Sequence, residues 1–340
     1  GLWIFAGSFG LLIAARIVGG VMAGNIATAA AVVADTTAPE DRAKGMGIIG
    51  MAIGLGFIMG PAIGGATYAL FPMNSIEWQT GLALNPFSIP AVAATLIACL
   101  NLAWVLKGFQ ETHPVEARGQ ALPTRSLNPF AKLAELKAPG LPRTNLIYFV
   151  YLLAFSAMEF TLTFLAVDRL GFGPIDNTWM FVYIGLVIAI VQGGVVRRVA
   201  PRLGEKKVSM SGILIMVPGF LLISGTSTVG QLYIGLGLLA VGSALAMPCL
   251  SALVSHYAPP ELQGLAQGTF RSMGALSRAI GPAIGGVLYW KLGSEAPYLV
   301  GAGLMLLPIV LILGLPTPAA GQTQAAGTRG WASARARSRC

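Results

Sequence analysis

Gly60-Pro61-Ala62-Ile63-Gly64-Gly65 returns, residue for residue, as Gly281-Pro282-Ala283-Ile284-Gly285-Gly286. Each copy lies near the end of a long apolar segment, so the chain reads as two related halves. The correspondence reaches upstream, because Gly47, Gly56, Gly60, Pro61 and Gly64 match Gly268, Ser277, Gly281, Pro282 and Gly285 at the same spacing. One of those five positions changes, from Gly to Ser. Glycine every few residues lets a neighbouring helix approach closely inside a bilayer, and a Gly-Pro step loosens a helix that its neighbours must then support. An isolated Gly-Pro would mean small-residue helix packing and no more. Its duplication over a long spacing points to a specific repeat architecture.

Composition sets the solvent. Of 340 residues, 55% are hydrophobic and 10% charged, and the mean hydropathy is +0.73. A water-soluble domain of this size could not carry that balance on its surface, so the chain is read as an all-α integral membrane protein. The 44 glycines and 21 prolines fit that reading, since both are commoner in transmembrane helices than in soluble ones. Cys99, Cys249 and Cys340 have no paired spacing, which argues against a disulfide framework and against a metal site. His113 and His256 stand alone and no P-loop is present, so neither ATP hydrolysis nor a cofactor is expected.

A helix needs about 20 residues to cross the hydrocarbon core. Apolar stretches bounded by charges, Pro or Gly clusters predict nine spans, near 8–34, 46–70, 84–106, 145–167, 178–199, 208–225, 231–254, 265–289 and 296–315. Alternate loops then divide by Lys and Arg content, which sets orientation. Arg42 and Lys44, the connector residues Lys107, Arg118, Arg125, Lys132, Lys137 and Arg143, the cluster Arg197, Arg198, Arg202, Lys206 and Lys207, and the tail arginines fall on one side, expected to be cytoplasmic. The opposite loops hold Arg169 and Lys291, so the net charge of +9 needs no nucleic-acid partner. The loop at 255–264 carries no Lys or Arg and fits by alternation alone.

The expected organisation is a remainder of an N-terminal bundle at 1–107, a cytoplasmic linker at 108–143, a C-terminal bundle at 144–316 and a disordered cytoplasmic tail at 317–340. If the segment holding Gly60 corresponds to that holding Gly281, the second half has four spans before its copy and the first half one. The expectation is therefore a twelve-helix protein lacking its first three helices.

Gly47, Gly56, Gly60, Pro61 and Gly64 resemble the antiporter motif in the fifth helix of drug:proton antiporters of the major facilitator superfamily. Ala15-Arg16-Ile17-Val18-Gly19-Gly20 with Ala34-Asp35-Thr36 is similar to the fourth helix of tetracycline-resistance efflux proteins, and Met247-Pro248 resembles their tenth. Gln110-Glu111-Thr112 resembles the acidic ending of the sixth. Arg197 to Lys207 looks like a degenerate copy of the superfamily's cytoplasmic loop motif, keeping Arg202, Gly204 and Lys206, with Arg197 and Pro201 in place of the expected Gly and Asp. Those two departures weigh against a gating charge pair at this loop. Met158 to Leu162 and Arg271 to Arg278 are most similar to the animal tetracycline-transporter-like proteins, a branch implicated in organic anion transport. The resemblance covers the chain apart from its tail. It implies the major facilitator fold of two six-helix bundles.

Charges at membrane depth cost about 3 kcal/mol each even on the gentlest scale, so each is a functional hypothesis. Glu159 lies near the middle of its span; a carboxyl that changes protonation there can couple proton movement to transport, and the alternative is a permanent structural pair with an Arg. Arg271 and Arg278 stand two helical turns apart, about 10 Å, on one face. Arg278 is the deeper, and its guanidinium suits a carboxylate or sulfonate through bidentate hydrogen bonds. Arg271 can instead snorkel toward the membrane surface. The resemblance gives Arg16 a role in proton transfer or cavity polarity, the alternative being an ion pair, and makes Asp35 the acidic partner of a loop latch.

A secondary transporter of small amphiphilic organic compounds, working as a monomer by alternating access against a proton gradient, accounts for the repeat, the charge bias and the buried charges together. A multi-pass membrane enzyme would call for a clustered His/Asp/Glu or Cys/His set at one membrane face, which is missing. A non-transporting scaffold or sensor descended from a transporter is the remaining alternative, against which the costly midplane charges argue.

Overall fold

The computed structural model describes residues 1–22, 32, 42–71, 76–77, 82–109, 139–258 and 263–316. In chain order the helices are α1 (Phe9–Val21), α2 (Arg42–Leu70), α3 (Ser88–Gly108), α4 (Leu141–Leu170), α5 (Pro174–Ile190), α6 (Arg197–Leu203), α7 (Glu205–Ser224), α8 (Val229–Tyr257), α9 (Gln263–Leu292) and α10 (Ala296–Leu313). Among the described residues, six segments are long and apolar enough to cross a membrane: Ser88–Gly108, Leu141–Leu170, Pro174–Val196, Glu205–Ser224, Val229–Tyr257 and Ala296–Leu313. That is fewer than the nine expected. Of the expected first span, residues 23–31 and 33–34 lie outside the described residues, and α9, though 30 residues long, carries Arg271, Arg278 and Lys291.

Several local features depart from the apolar pattern. The opening apolar run is not one helix: Leu2–Phe5 forms a 3₁₀ turn, and Ser8 restarts the chain by accepting a hydrogen bond at its Oγ from the Leu11 N–H at 3.3 Å. A two-residue antiparallel pair, β1 (Ile76–Glu77) with β2 (Ala83–Leu84), lies between α2 and α3, against the all-α expectation. Elements this short leave no period in the sequence. The span expected at 178–199 begins earlier, at Pro174, and runs through a π-helical turn, Val191–Val196, into α6. α4 likewise starts at Leu141, ahead of the expected 145.

The chain divides into two compact units, Gly1–Arg125 with Phe164–Ala189, and Ser126–Thr163 with Ile190–Cys340. In the first unit, α3 leaves Leu96, Ile97, Leu100, Leu102, Trp104, Val105 and Leu106 exposed, an apolar surface suited to lipid. Its start is tied down by the Ser88 hydroxyl, which donates to the Ile4 carbonyl at 2.6 Å. In the second unit, α7 packs against α8 and α10 around the buried side chains of Ile213, Met216, Phe220, Ile223 and Tyr298.

Helix hydroxyls in this apolar setting bond back to carbonyls one turn earlier, as Thr144 does to Gly140 at 2.8 Å and Thr269 to Leu265 at 2.8 Å. This leaves few polar atoms unpaired. Among the described residues the buried side-chain atoms without a partner are Asn145 Oδ1 and Asn177 Oδ1.

α7 and α8 approach closely at Gly212 and Gly242. A Cβ on Gly212 would stand 2.6 Å from the Gly242 carbonyl oxygen and 2.9 Å from the Ala246 nitrogen, both backbone atoms that cannot swing aside. Gly212→Ala should therefore destabilise the protein by roughly 1–3 kcal/mol, the usual cost of overpacking. Thermal unfolding in detergent measures it. Gly303→Ala on α10, where an added Cβ meets nothing within 4 Å, should leave the midpoint unchanged.

Candidate functional site

The second unit brings the predicted residues of α4 and α9 together. Glu159 is half-buried on α4, and Arg271 and Arg278 are exposed on α9. Arg278 acts electrostatically on Glu159, Tyr148 and Tyr151, and Arg271 acts on Tyr148. One carboxyl, two guanidinium groups and two phenols thus share a single patch. In hydrocarbon such a group of charges is affordable only facing a polar cavity or one another.

An aromatic ladder backs this patch. Tyr148 stacks on Phe270 with ring centroids 3.8 Å apart, and lies 6.2 Å from Tyr151, which is 6.2 Å from Phe155. The three α4 rings recur at spacings of three and four residues, so they line one helix face. Tyr151 is 1% exposed, and its hydroxyl meets the Ser243 hydroxyl of α8 at 2.7 Å. Near the far end of α4 the Thr161 hydroxyl donates to Tyr298 Oη of α10 at 3.3 Å. These phenols and hydroxyls were missed in the sequence reading. Their signal was present, because Tyr, Ser and Thr at helical spacing inside apolar spans need partners.

The repeated motif has different surroundings in its two copies. In the second, a Cβ on Gly285 would stand 2.6 Å from the Ala157 carbonyl oxygen and one on Gly281 2.8 Å from Ser156 Cβ, so these glycines seat α9 directly on α4. Ser277, the one changed position, donates its hydroxyl to the Phe149 carbonyl of α4 at 2.9 Å and also lies 3.0 Å from the Met273 carbonyl of its own helix. In the first copy, Gly47, Gly56, Gly60, Pro61 and Gly64 all lie on α2, with Pro61 inside the helix. A Cβ on Gly56, Gly60 or Gly64 meets no described atom within 4 Å. That strip is open.

The remaining predicted residues belong to other elements. Arg16 of α1 is exposed and places its guanidinium 5.1 Å from the Trp3 ring centroid, a cation–π contact within its own unit. Arg202 is exposed in the last turn of α6, Gly204 links α6 to α7 with φ +82°, and Lys206 lies in the first turn of α7 with Nζ bonded to α10 carbonyls. Asp35 lies outside the described residues, as do most of the expected linker and the whole expected tail. Among the described residues no three His, Cys, Asp or Glu side chains are grouped to hold a metal ion.

The family model of the Major Facilitator Superfamily matches residues 1–203 and 195–339. Major facilitator superfamily domain-containing protein 10 of Homo sapiens is 34% identical over 336 residues, covering 94% of this chain and 70% of that protein. The crystal structure of the human organic anion transporter MFSD10 matches with a TM-score of 0.66 at 34% identity, covering 90% of this chain and 71% of that one. The class C tetracycline resistance protein of Escherichia coli is 26% identical over 300 residues, covering 87% of this chain and 71% of that protein.

Tyr151→Phe should lower stability by about 0.6 kcal/mol, and by no more than about 1.7, the range measured for interhelical hydrogen bonds in membranes. A double-mutant cycle with Ser243→Ala, followed by unfolding in detergent, should return a coupling of that size. Additive losses would mean that the two hydroxyls do not support one another.

Proposed function

The chain belongs to the major facilitator superfamily, and we propose that it is a proton-coupled secondary transporter of small organic anions, working as a monomer by alternating access. Nine helices cross the bilayer in this reading, with the Lys- and Arg-rich loops on the cytoplasmic side. The carrying observation is the patch on α4 and α9, where Arg278 stands within electrostatic reach of Glu159 and of two tyrosines, with Arg271 two turns away. The similarity to an organic anion transporter supports the same reading.

The chemistry follows from the charges. Two arginines on one helix face leave a net positive surface while Glu159 is ionised, and a more positive one when it is protonated. A carboxylate or sulfonate substrate is drawn to Arg278, whose planar fork of N–H donors matches it in shape. Behind the arginines the buried Tyr148 and Phe270 rings, stacked on each other, pack α4 against α9. Protonation of Glu159 and anion binding then assist each other, because each reduces competition for the same guanidinium. Such a shared charge is how a proton gradient drives a substrate.

Vesicles containing the protein, with and without an imposed pH gradient, should move a fluorescent organic anion in a gradient-dependent manner and leave a matched cation behind. Movement of the cation instead would overturn the anion assignment and favour a drug:proton antiporter. Glu159→Gln should abolish the response to the gradient with expression intact, whereas gradient-driven flux surviving the change would refute the coupling role. Arg278→Ala should lower anion flux about tenfold or more, on the order of the 1.5–3 kcal/mol carried by a hydrogen bond to a charged group.

A further inference from the structure

α10 ends at Leu313, and the carbonyls of a last helical turn have no partner further along the helix. Here each of four consecutive carbonyls accepts a hydrogen bond from a side chain of another element. Arg143, in the first turn of α4, donates through Nη1 to the Gly314 carbonyl. Lys206, in the first turn of α7, donates through Nζ to the carbonyls of Leu313 at 3.1 Å and Leu315 at 2.6 Å. Tyr257, the last residue of α8, donates its hydroxyl to the Pro316 carbonyl at 2.6 Å. Two of the three donors are cations facing the negative end of a helix dipole, the favourable placement for both.

The surroundings are shaped for these contacts. Gly140, just ahead of α4, has φ +91°, and a Cβ there would stand 2.8 Å from Tyr257 Cδ2. A side chain at 140 would strain the backbone and push the Tyr257 ring from its place. Beside it, His256 Nε2 lies 3.5 Å from Glu205 Oε1, joining the last turn of α8 to the first turn of α7. Leu315 is 3% exposed, so the segment that the donors hold is also packed inward.

We propose that Arg143, Lys206 and Tyr257 form a clamp fixing the end of α10 to the starts of α4 and α7 and the end of α8, and that the second-half basic loop serves this clamp instead of a gate. The three are positioning residues. α4 carries Glu159 and is tied to α10 twice, by Arg143 to Gly314 and by Thr161 to Tyr298. Those ties are 18 residues apart on α4, roughly 27 Å of helix. The clamp thus sets the register of the helix that bears the carboxyl against a neighbour that bears no charge at that depth.

Hydrogen–deuterium exchange of the full chain in lipid nanodiscs tests this, comparing the amides of 310–315 with those of the middle of α8. Lys206→Met and the double variant Lys206→Met/Arg143→Met should speed exchange at 310–315 by about fivefold or more, the effect of losing one such hydrogen bond. Tyr257→Phe, which removes a single hydroxyl, should give a smaller local rise, and Lys206→Arg should restore protection. Unchanged exchange at 310–315 in the double variant and in Tyr257→Phe would overturn the clamp. So would a rise of equal size in the middle of α8, since that reports general loosening.

Discussion

A hydroxyl or charge carried into hydrocarbon finds no water, so its partner must come from another helix or from its own backbone. α4 shows how far that constraint organises the second unit. Among the bonds that leave it sideways are Tyr151 to Ser243 on α8, Thr161 to Tyr298 on α10, the Phe149 carbonyl to Ser277 on α9, and Arg143 to Gly314 beyond α10. Each is individually modest, because polar groups of an unpacked helix also find partners in the bilayer. Together they give α4 one rotational setting, and that setting decides which way Glu159 points. The Glu159 carboxyl is therefore held by the polar bonds of its neighbours along the helix.

The duplicated motif shows the same chain fragment answering two different demands. On α9, Gly281 and Gly285 let the α4 backbone approach, and Ser277 uses the space of a missing glycine to make a hydrogen bond across the gap. On α2 the equivalent glycines face no described side chain. In the first hexapeptide it is Gly65 that is crowded, a Cβ there standing against Thr178 Cγ2, so identical hexapeptides have different surroundings. The Gly-to-Ser change is the point at which the two diverge, from close approach alone to close approach plus a bond.

The membrane class and the repeat were legible because each leaves a long-range trace. Apolar runs, a fixed spacing between Gly60 and Gly281, and isolated charges inside apolar segments survive without any knowledge of packing. The break between Phe5 and Phe9, the two-residue strand pair at Ile76 and Ala83, and the π turn at Val191–Val196 left no such trace, since they depend on a handful of local torsions. The charges of one helix have a related consequence. Helix α9 is amphipathic through Arg271 and Arg278, so the residues that make it interesting also lower its apolar signal. The Trp3 ring near the Arg16 guanidinium is a local contact that left no trace in the sequence pattern.

The second-half basic loop illustrates how a motif's residues can be kept while their work changes. Pro201 stands where the resemblance implies an acidic residue, and the loop's own carboxylate, Glu205, lies against His256. A cation at the end of a span needs some acceptor, and the nearest supply of unpaired acceptors is the C-terminal turn of a neighbouring helix. Lys206 reaches that supply because Gly204, with φ +82°, turns the chain sharply between α6 and α7 and starts α7 beside the end of α10. Once Lys206 is engaged there, the loop is bound within its own unit. In the proposed clamp Lys206 holds a helix end in place, and the loop's work is positional.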